Sequence, residues 1–379
     1  MRRVVLLGAG HAHLHVIAQA EQLVRRGAEV VVVAPDDFWY SGLATGVLAG
    51  QYEPALDVVD VGALAARAGG RFVRDLATAI DPGARRVTLA SGATLDYDLL
   101  SLDVGSEVPA EAIPGAAAHA IPVKPLSNLI RVRRDLEARW GRGERPEVVV
   151  VGGGSSGCEV AAATAELAVR RGATARITLL ADSHRVLPTI PGTRGIARAL
   201  ERRGIRIRTG EAVTSIAPDH VRTASGTESA FDVLVLATGL APPPLLRRSG
   251  LPTDEAGAVL TGRELRACGD ATVFGAGDCI AFEGRPLPRI GVHAVRQAPV
   301  LLHNLAAALG GGSPRDYRPQ LRALLILNLG DGTGLATWGP FTWRGRAAFW
   351  LKDRIDRRWL ASFALDSAAA TATIRDRTT

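Results

Sequence analysis

Runs of apolar residues with little polar alternation recur along the chain, separated by amphipathic stretches. Val4 to Leu7, Val30 to Val33, Leu99 to Val104, Val148 to Val151, Ala175 to Leu180 and Phe231 to Ala237 read as strands covered on both faces, as in a parallel sheet. Between them, Leu14 to Arg26 predicts a helix stopped by Gly27. Arg131 to Trp140 predicts an arginine-rich helix with a solvated charged face, and Ile196 to Arg203 a further helix. A longer helix is predicted from Arg289 toward Leu309, ended by Gly310-Gly311-Gly312. Shorter strands are predicted over Phe72 to Ile80, Arg86 to Leu89, Ile205 to Arg208 and Val213 to Ile216, with turn chemistry at Asp81-Pro82-Gly83 and Ser91-Gly92.

This alternation predicts an α/β fold built on two βαβ units, opening near Val4 and Glu147, with no other internal repeat. Pro109, Pro114, Pro122 and Pro125 punctuate a crossing segment. Leu99–Gly105 and Phe231–Gly239 resemble one another and mark the chain leaving a first domain and returning to it. The expected division is 1–108 with 233–310 as one discontinuous domain and 109–232 inserted in it. A small C-terminal α+β domain is expected over 311–379. There Leu324 to Leu329 and Leu335 to Trp338 predict a hairpin around Asp331-Gly332. Aromatic residues then crowd in, and Phe349, Leu351, Ile355, Trp359 and Phe363 form a stripe bordered by Lys352, Arg354, Arg357 and Arg358. Such a stripe either lies in a membrane interface or packs on the domain's own sheet.

The turns after two of the apolar runs carry candidate chemistry. In Gly8-Ala9-Gly10-His11-Ala12-His13, Gly8 makes the turn and Gly10 lets the backbone approach a phosphate, while His13 stands where a third glycine is usual. Gly152-Gly153-Gly154-Ser155-Ser156-Gly157 completes the same pattern. Each sets a pyrophosphate against a helix N-terminus, so two fingerprints predict two dinucleotides and electron transfer between them. After the second strand, Ala34-Pro35 is followed by Asp36 and Asp37, either of which reaches a ribose or leaves that contact absent. Tyr40 to Gly46 is expected to form a small-residue loop against a flat ring, or a turn capping the next helix. In the second unit, Asp182 suits the ribose of NADH and Arg185 the extra phosphate of NADPH, and the nearer acid favours NADH. Gly275-Ala276-Gly277-Asp278 either puts a carboxylate on the polyol hydroxyls of a flavin or makes Asp278 a helix cap.

Composition narrows the choice. The 379 residues predict two or three domains, and 47% hydrophobic with 22% charged residues is ordinary for a soluble globular protein. The net charge of +7 rests almost wholly on arginine, since Lys124 and Lys352 are the only lysines. No basic block reads as a nucleic-acid tract, so no nucleic-acid partner is expected. Cys158, Cys268 and Cys279 are too scattered for a disulfide framework or zinc site, which suits a reducing cytoplasm. No apolar run spans a membrane. Met1-Arg2-Arg3 imitates a signal peptide, but the glycines and second strand that follow fit a folded unit better. His11, His13 and His15 invite a metal, yet that helix start faces a pyrophosphate and none is expected.

In this order the motifs resemble the two-dinucleotide-binding-domain flavoproteins of the pyridine nucleotide-disulfide oxidoreductase superfamily. The marks are Gly8-Ala9-Gly10, Gly152 to Gly157, Ala237-Thr238-Gly239 and Gly275 to Asp278. Further phrases are similar to the NADH dehydrogenase-like group related to type II NADH dehydrogenases, some relatives of which are fused to selenide,water dikinase. These are Gly10 to His13, Tyr40-Ser41-Gly42, Leu102 to Ser106, Pro122 to Pro125, Val295-Arg296-Gln297 and Trp350 to Arg357.

The resemblance implies an FAD domain interrupted by an NAD(P)H domain and followed by a C-terminal interface domain. It implies FAD on Gly8, Gly10, His11, Ala12, His13, Pro35, Ser41, Lys124, Gly277 and Asp278. It implies NAD(P)H on Gly152, Gly154, Ser155, Ser156, Gly157, Glu159, Asp182 and Gly239. Nicotinamide would pass a hydride to the flavin, and Glu159 would position the nicotinamide or ribityl chain, or merely favour a helix dipole. Lys124 would pair with Glu159 or face the flavin. A quinone would approach between Gly291–Gln297 and the aromatic C-terminal segment, at the inner membrane face, with Gln297 as its polar contact or as helix packing. Two departures stand out: the redox dithiol is absent, and Asp103-Val104-Gly105 replaces Ala-Thr-Gly at the first crossing. Competing readings are a sulfide- or selenium-related flavin oxidoreductase, for which Cys158 and Cys279 are poorly placed, and a slow FAD-binding sensor.

Overall fold

A computed structural model of the chain describes residues 1–364 apart from 191, 192, 194, 311 and 321. Its first sheet has five parallel strands in the order Val273–Gly275, Leu99–Leu102, Arg2–Leu7, Ala28–Ala34, Arg71–Arg74. Val4 and Leu6 pair with Val30 and Val32, and these side chains join one core beside α1 (His11–Ala18). The expected single helix to Arg26 is instead α1 followed by a separate turn at Glu21–Val24.

Ser41 to Gly46 is helix rather than loop: α2 spans Ser41–Leu48, and Tyr40 precedes it in extended conformation. Its glycines explain why a helix fits there. A Cβ on Gly42 would lie 2.3 Å from the Tyr40 ring, and one on Gly46 2.4 Å from the Tyr52 ring, so two tyrosines close on a helix face kept bare for them. Phe72 to Ile80 is two strands, because Arg71–Arg74 ends the parallel sheet and Ala77–Asp81 begins an antiparallel meander with Arg86–Leu89 and Thr94–Asp96.

The second sheet repeats the first: Ile121–Pro122, Val233–Leu236, Glu147–Val151, Arg176–Ala181, Ile205–Thr209, all parallel, with its own meander over Val213–Ala230. Helices α3 (Ser127–Gly141) and α4 (Ser155–Arg170) pack on it. Here the expected boundary at 233 is corrected. Val233 to Leu236 pairs with Val148 to Val151, since an apolar strand with no polar face finds its partners inside the second sheet. The chain turns back only afterwards, where an antiparallel bridge joins Glu107 on the outgoing segment to Ala241 on the returning one.

Helix α5 (Gly291–Ala308) lies against α1 in the first core. The C-terminal unit is a three-stranded antiparallel sheet, Leu324–Asn328, Gly334–Trp338 and Phe341–Gly345, followed by α6 (Arg346–Ala361). The third strand was hidden among the aromatic residues. Of this unit, 311, 321 and 365–379 lie outside the described residues. Leu327, Leu329 and Leu335 enter the second core while Phe363 enters the first, so the unit grips both halves.

Candidate functional site

Both glycine loops sit at the carboxyl ends of the central strands. Gly8 has φ +89°, and a Cβ there would lie 2.4 Å from the Asp103 carbonyl oxygen, so this turn accepts no side chain. His13 stands where a third glycine would let helix and strand touch. Its fully buried ring fills the gap, with Nδ1 2.6 Å from the Gly8 carbonyl oxygen and Nε2 2.8 Å from Ser101 Oγ. Nδ1–H therefore donates to the carbonyl, and Nε2 accepts from the serine hydroxyl. Burial lowers its pKa to about 4, keeping the ring neutral. His13 is thus a strut between α1 and its strand, and the expectation of a cofactor ligand is corrected. The Ala12 and His13 N–H groups are taken by the Asp103 carboxylate, at 2.8 and 2.9 Å. Asp103 was visible in the sequence as a departure from Ala-Thr-Gly but had no assigned role.

His11, next along the loop, is enclosed by Phe38, Tyr40 and Trp359 at ring distances of 5.0, 5.6 and 5.3 Å. Ser41 Oγ lies 3.5 Å from its Nε2, so the first turn of α2 faces the first glycine loop. Beyond Pro35, Asp36 and Asp37 are both engaged by Arg74 at 3.0 Å.

Asp278 is not a side-chain helix cap. Its Oδ2 accepts from Ser106 Oγ at 2.6 Å and from Lys124 Nζ at 3.2 Å, and Lys124 also donates to Ser106 at 2.8 Å. Lys124 therefore pairs with Asp278 and not with Glu159. Gln297, expected at the quinone, is buried, and its amide oxygen accepts from Gly277 N–H at 2.7 Å. That oxygen is committed to shaping the Gly277-Asp278 turn.

In the second loop a Cβ on Gly157 would lie 1.8 Å from the Gly152 carbonyl oxygen, the close helix–strand approach that His13 replaces in the first. Gly154 and Gly239 differ, because a Cβ on either meets no protein atom within 4 Å. Nothing inside the protein demands glycine there, and the open space beside Gly154 lies at the N-terminus of α4, where Ser155 is half-buried and Ser156 exposed. At the end of the next strand Asp182 is exposed and accepts from Ser183 N–H at 2.7 Å, while Arg185 is turned back onto the Pro188 carbonyl at 2.8 Å. Glu159 Oε1 accepts from Asn328 N–H at 2.6 Å, tying α4 to the C-terminal sheet. Burial raises its pKa to about 6, opposed by Lys352.

The family model described as pyridine nucleotide-disulphide oxidoreductase matches residues 2–298. The chain belongs to that family. Membership makes it an NAD(P)H-dependent flavin oxidoreductase and implies FAD and a pyridine nucleotide as cofactors, which the two loops fit. Among relatives, the NADH dehydrogenase-like protein Rv1812c of Mycobacterium tuberculosis is 29% identical over 74% of this chain and 73% of its own. The demethylphylloquinone reductase of Synechocystis is 26% identical over 89% and 88%. The solved NDH2 of Plasmodium falciparum shares the fold at TM-score 0.77 and 14% identity, covering 93% of this chain and 97% of its own.

The family's disulphide chemistry has no counterpart among the described residues. Cys158, Cys268 and Cys279 are all unpaired. Burial pushes the Cys158 thiol up to about 12 and the Cys279 thiol higher still, and Cys279 Sγ donates to the Ala276 carbonyl. Neither is a nucleophile at neutral pH.

Proposed function

We propose that this chain oxidises NADH on an FAD held by the first loop and passes two electrons to a quinone. One observation carries the reading. Lys124 stands just past the strand Ile121–Pro122 of the second sheet, and Asp278 just past Val273–Gly275 of the first; their 3.2 Å contact pins the carboxyl ends of both sheets to one spot. Two dinucleotides held along the two loops would meet there, which is what direct hydride transfer requires. Bound flavin supplies the hydride acceptance and the two-electron release. The chain's own residues align and shield. Asp278, held by Ser106 and Lys124, offers its carboxylate to the ribityl hydroxyls. Glu159, pinned by Asn328, fixes the nicotinamide edge. Exposed Asp182, with Arg185 turned away, supports NADH over NADPH.

The test is anaerobic reduction of the purified yellow protein, with NADH and then NADPH, followed by a soluble quinone. NADH is expected to bleach the flavin faster than NADPH, and quinone to restore its colour. A Glu159→Gln protein should keep its FAD and bleach about tenfold more slowly. No bleaching with either nucleotide sinks the dehydrogenase reading, and wild-type bleaching in the variant removes the Glu159 role.

The quinone is apolar, and the C-terminal unit supports a membrane approach. No helix among the described residues is long and apolar enough to cross a membrane. The stripe inferred from the sequence divides, since Trp359 stacks on Tyr40 at 4.6 Å and Phe363 is buried, while Ile355 stays exposed. A different apolar face points outward: Trp338 and Phe341 at a hairpin end, Trp343, and Trp350, the last 62% exposed. Arg322 and Arg354 lie over Trp338 and Trp350. Aromatic rings beside arginine suit an anionic lipid interface. Replacing Trp338, Phe341 and Trp350 by serine is expected to lower binding to anionic vesicles at least about tenfold in flotation. Unchanged flotation assigns that face elsewhere.

A further inference from the structure

The N-terminus of α1 already holds an anion of the protein's own. Asp103 is 2% exposed, and its Oδ2 accepts from the Ala12 and His13 N–H groups. Its carbonyl oxygen accepts from Gly10 N–H at 3.2 Å. The loop is shaped around this carboxylate: a Cβ on Gly10 would come 2.4 Å from it, and one on Gly277 2.5 Å.

The second half of the same chain is an internal control. There Ala237, which has no carboxylate, stands at the corresponding place, and Gly154, the counterpart of Gly10, faces open space. Both helices begin a phosphate loop, but the first has an acid built into it. A dinucleotide pyrophosphate brings two negative charges to that helix end, where a buried carboxylate already draws on the same N–H groups and dipole.

Resting on the assignment of FAD to the first loop, we propose that Asp103 is a positioning residue that sets flavin affinity. It holds the phosphate loop in shape and takes up one proton from solvent when the pyrophosphate binds beside it. The charges around it agree. Burial pushes its carboxyl up to about 7, with Asp278 adding to the rise and the His13 and Ala12 N–H groups and Lys124 opposing it. On α1, burial leaves His11 and His13 with pKa values of about 4, neutral near pH 7. On the Gly277 turn, the Cys279 thiol is pushed up and neutral, and Asp278 faces Lys124 in an ion pair. Asp103 is therefore placed to change charge near neutral pH within this shell.

The experiment is FAD titration of the apoprotein across about pH 6 to about pH 9, read by flavin fluorescence, with calorimetry in buffers of different ionisation enthalpy. Above about pH 7, Kd is expected to rise toward tenfold per pH unit, and proton uptake to approach one per FAD. Asp103→Asn keeps an amide oxygen for the two N–H groups and nearly the same volume. Its Kd is expected to be flat with pH and near the wild type's low-pH value, with no proton uptake. A merely structural Asp103 would alter stability and leave the slope unchanged. Wild-type affinity independent of pH with no proton taken up, or an Asn variant retaining the slope, overturns the proposal. If the variant does not fold, the wild-type proton count decides. A wild type that binds no FAD at any pH overturns instead the assignment of FAD to this loop.

Discussion

A Gly157→Ala protein is expected to keep its FAD and lose most of its reaction with NADH. The new Cβ would lie 1.8 Å from the Gly152 carbonyl oxygen and 2.9 Å from its carbon, which are backbone atoms that no rotamer change can move. Either α4 retreats from its strand by more than about 1 Å, or the turn at Gly152 opens, and misplacement of that size costs about 100-fold in rate when reacting atoms must meet. The first loop belongs to the other sheet and does not feel the change. Stopped-flow bleaching by NADH should slow about 100-fold while the flavin-to-protein ratio stays at the wild-type value. Bleaching within about fivefold of wild type would mean that the second loop does not hold the nicotinamide nucleotide, and with it the two-site reading would fall. Parallel loss of FAD would mean that the substitution disturbs the whole fold.

That prediction uses a feature legible in the chain itself. Apolar strands followed by glycine turns are written locally, because a buried parallel strand tolerates almost no polar residue and a phosphate turn almost no side chain. Asp103, His13 and Gln297 were harder to read because their partners are distant. Asp103 meets residues 90 and 91 positions away. His13 finds Ser101, and Gln297 reaches back to Gly277. A one-dimensional pattern records that such residues are unusual without recording what they touch. The placement of Val233 to Leu236 has the same origin, since a strand buried on both faces carries no mark of which sheet it completes.

Helix α6 defeated the sequence pattern for another reason. Its spacing left a stripe open to a membrane interface or to packing on the domain's own sheet, and the residues it buries against α2 include charged ones. Lys352 Nζ donates to the Gly42 carbonyl at 2.6 Å and to Asp356 at 2.7 Å, and Asp356 accepts from the Tyr40 hydroxyl at 2.7 Å. Tyr52 donates to Asp353 one turn away. Hydrophobic periodicity locates a buried face only when that face is hydrophobic. Here the apolar side chains of Trp350 and Ile355 are left outside, and the polar network joins the C-terminal unit to the half that carries the first sheet.

Lys352→Met is therefore expected to destabilise the protein by about 3–5 kcal/mol, read by urea unfolding. The side chains of Lys352 and Asp356 are only 11% and 8% exposed, so removing the ammonium leaves a carboxylate with neither water nor a cation. A second change separates this electrostatic cause from lost packing. Lys352→Met with Asp356→Asn leaves no buried charge at the pair and keeps an oxygen for the Tyr40 hydroxyl, and should regain most of the loss. Asp57 gives the sign of the pH dependence. Burial raises its carboxyl to about 8, with Lys352 opposing and Asp356 adding, and its buried Oδ1 has no partner among the described residues. The folded state then binds a proton that the unfolded state releases near pH 4, so this group's contribution to stability falls as pH rises from about 4 to about 8. Lys352→Met removes the cation that opposes that rise. The deficit should therefore be larger at about pH 8 than at about pH 6. A deficit below about 1 kcal/mol at both would show that the Lys352–Asp356 pair adds little to the docking of α6.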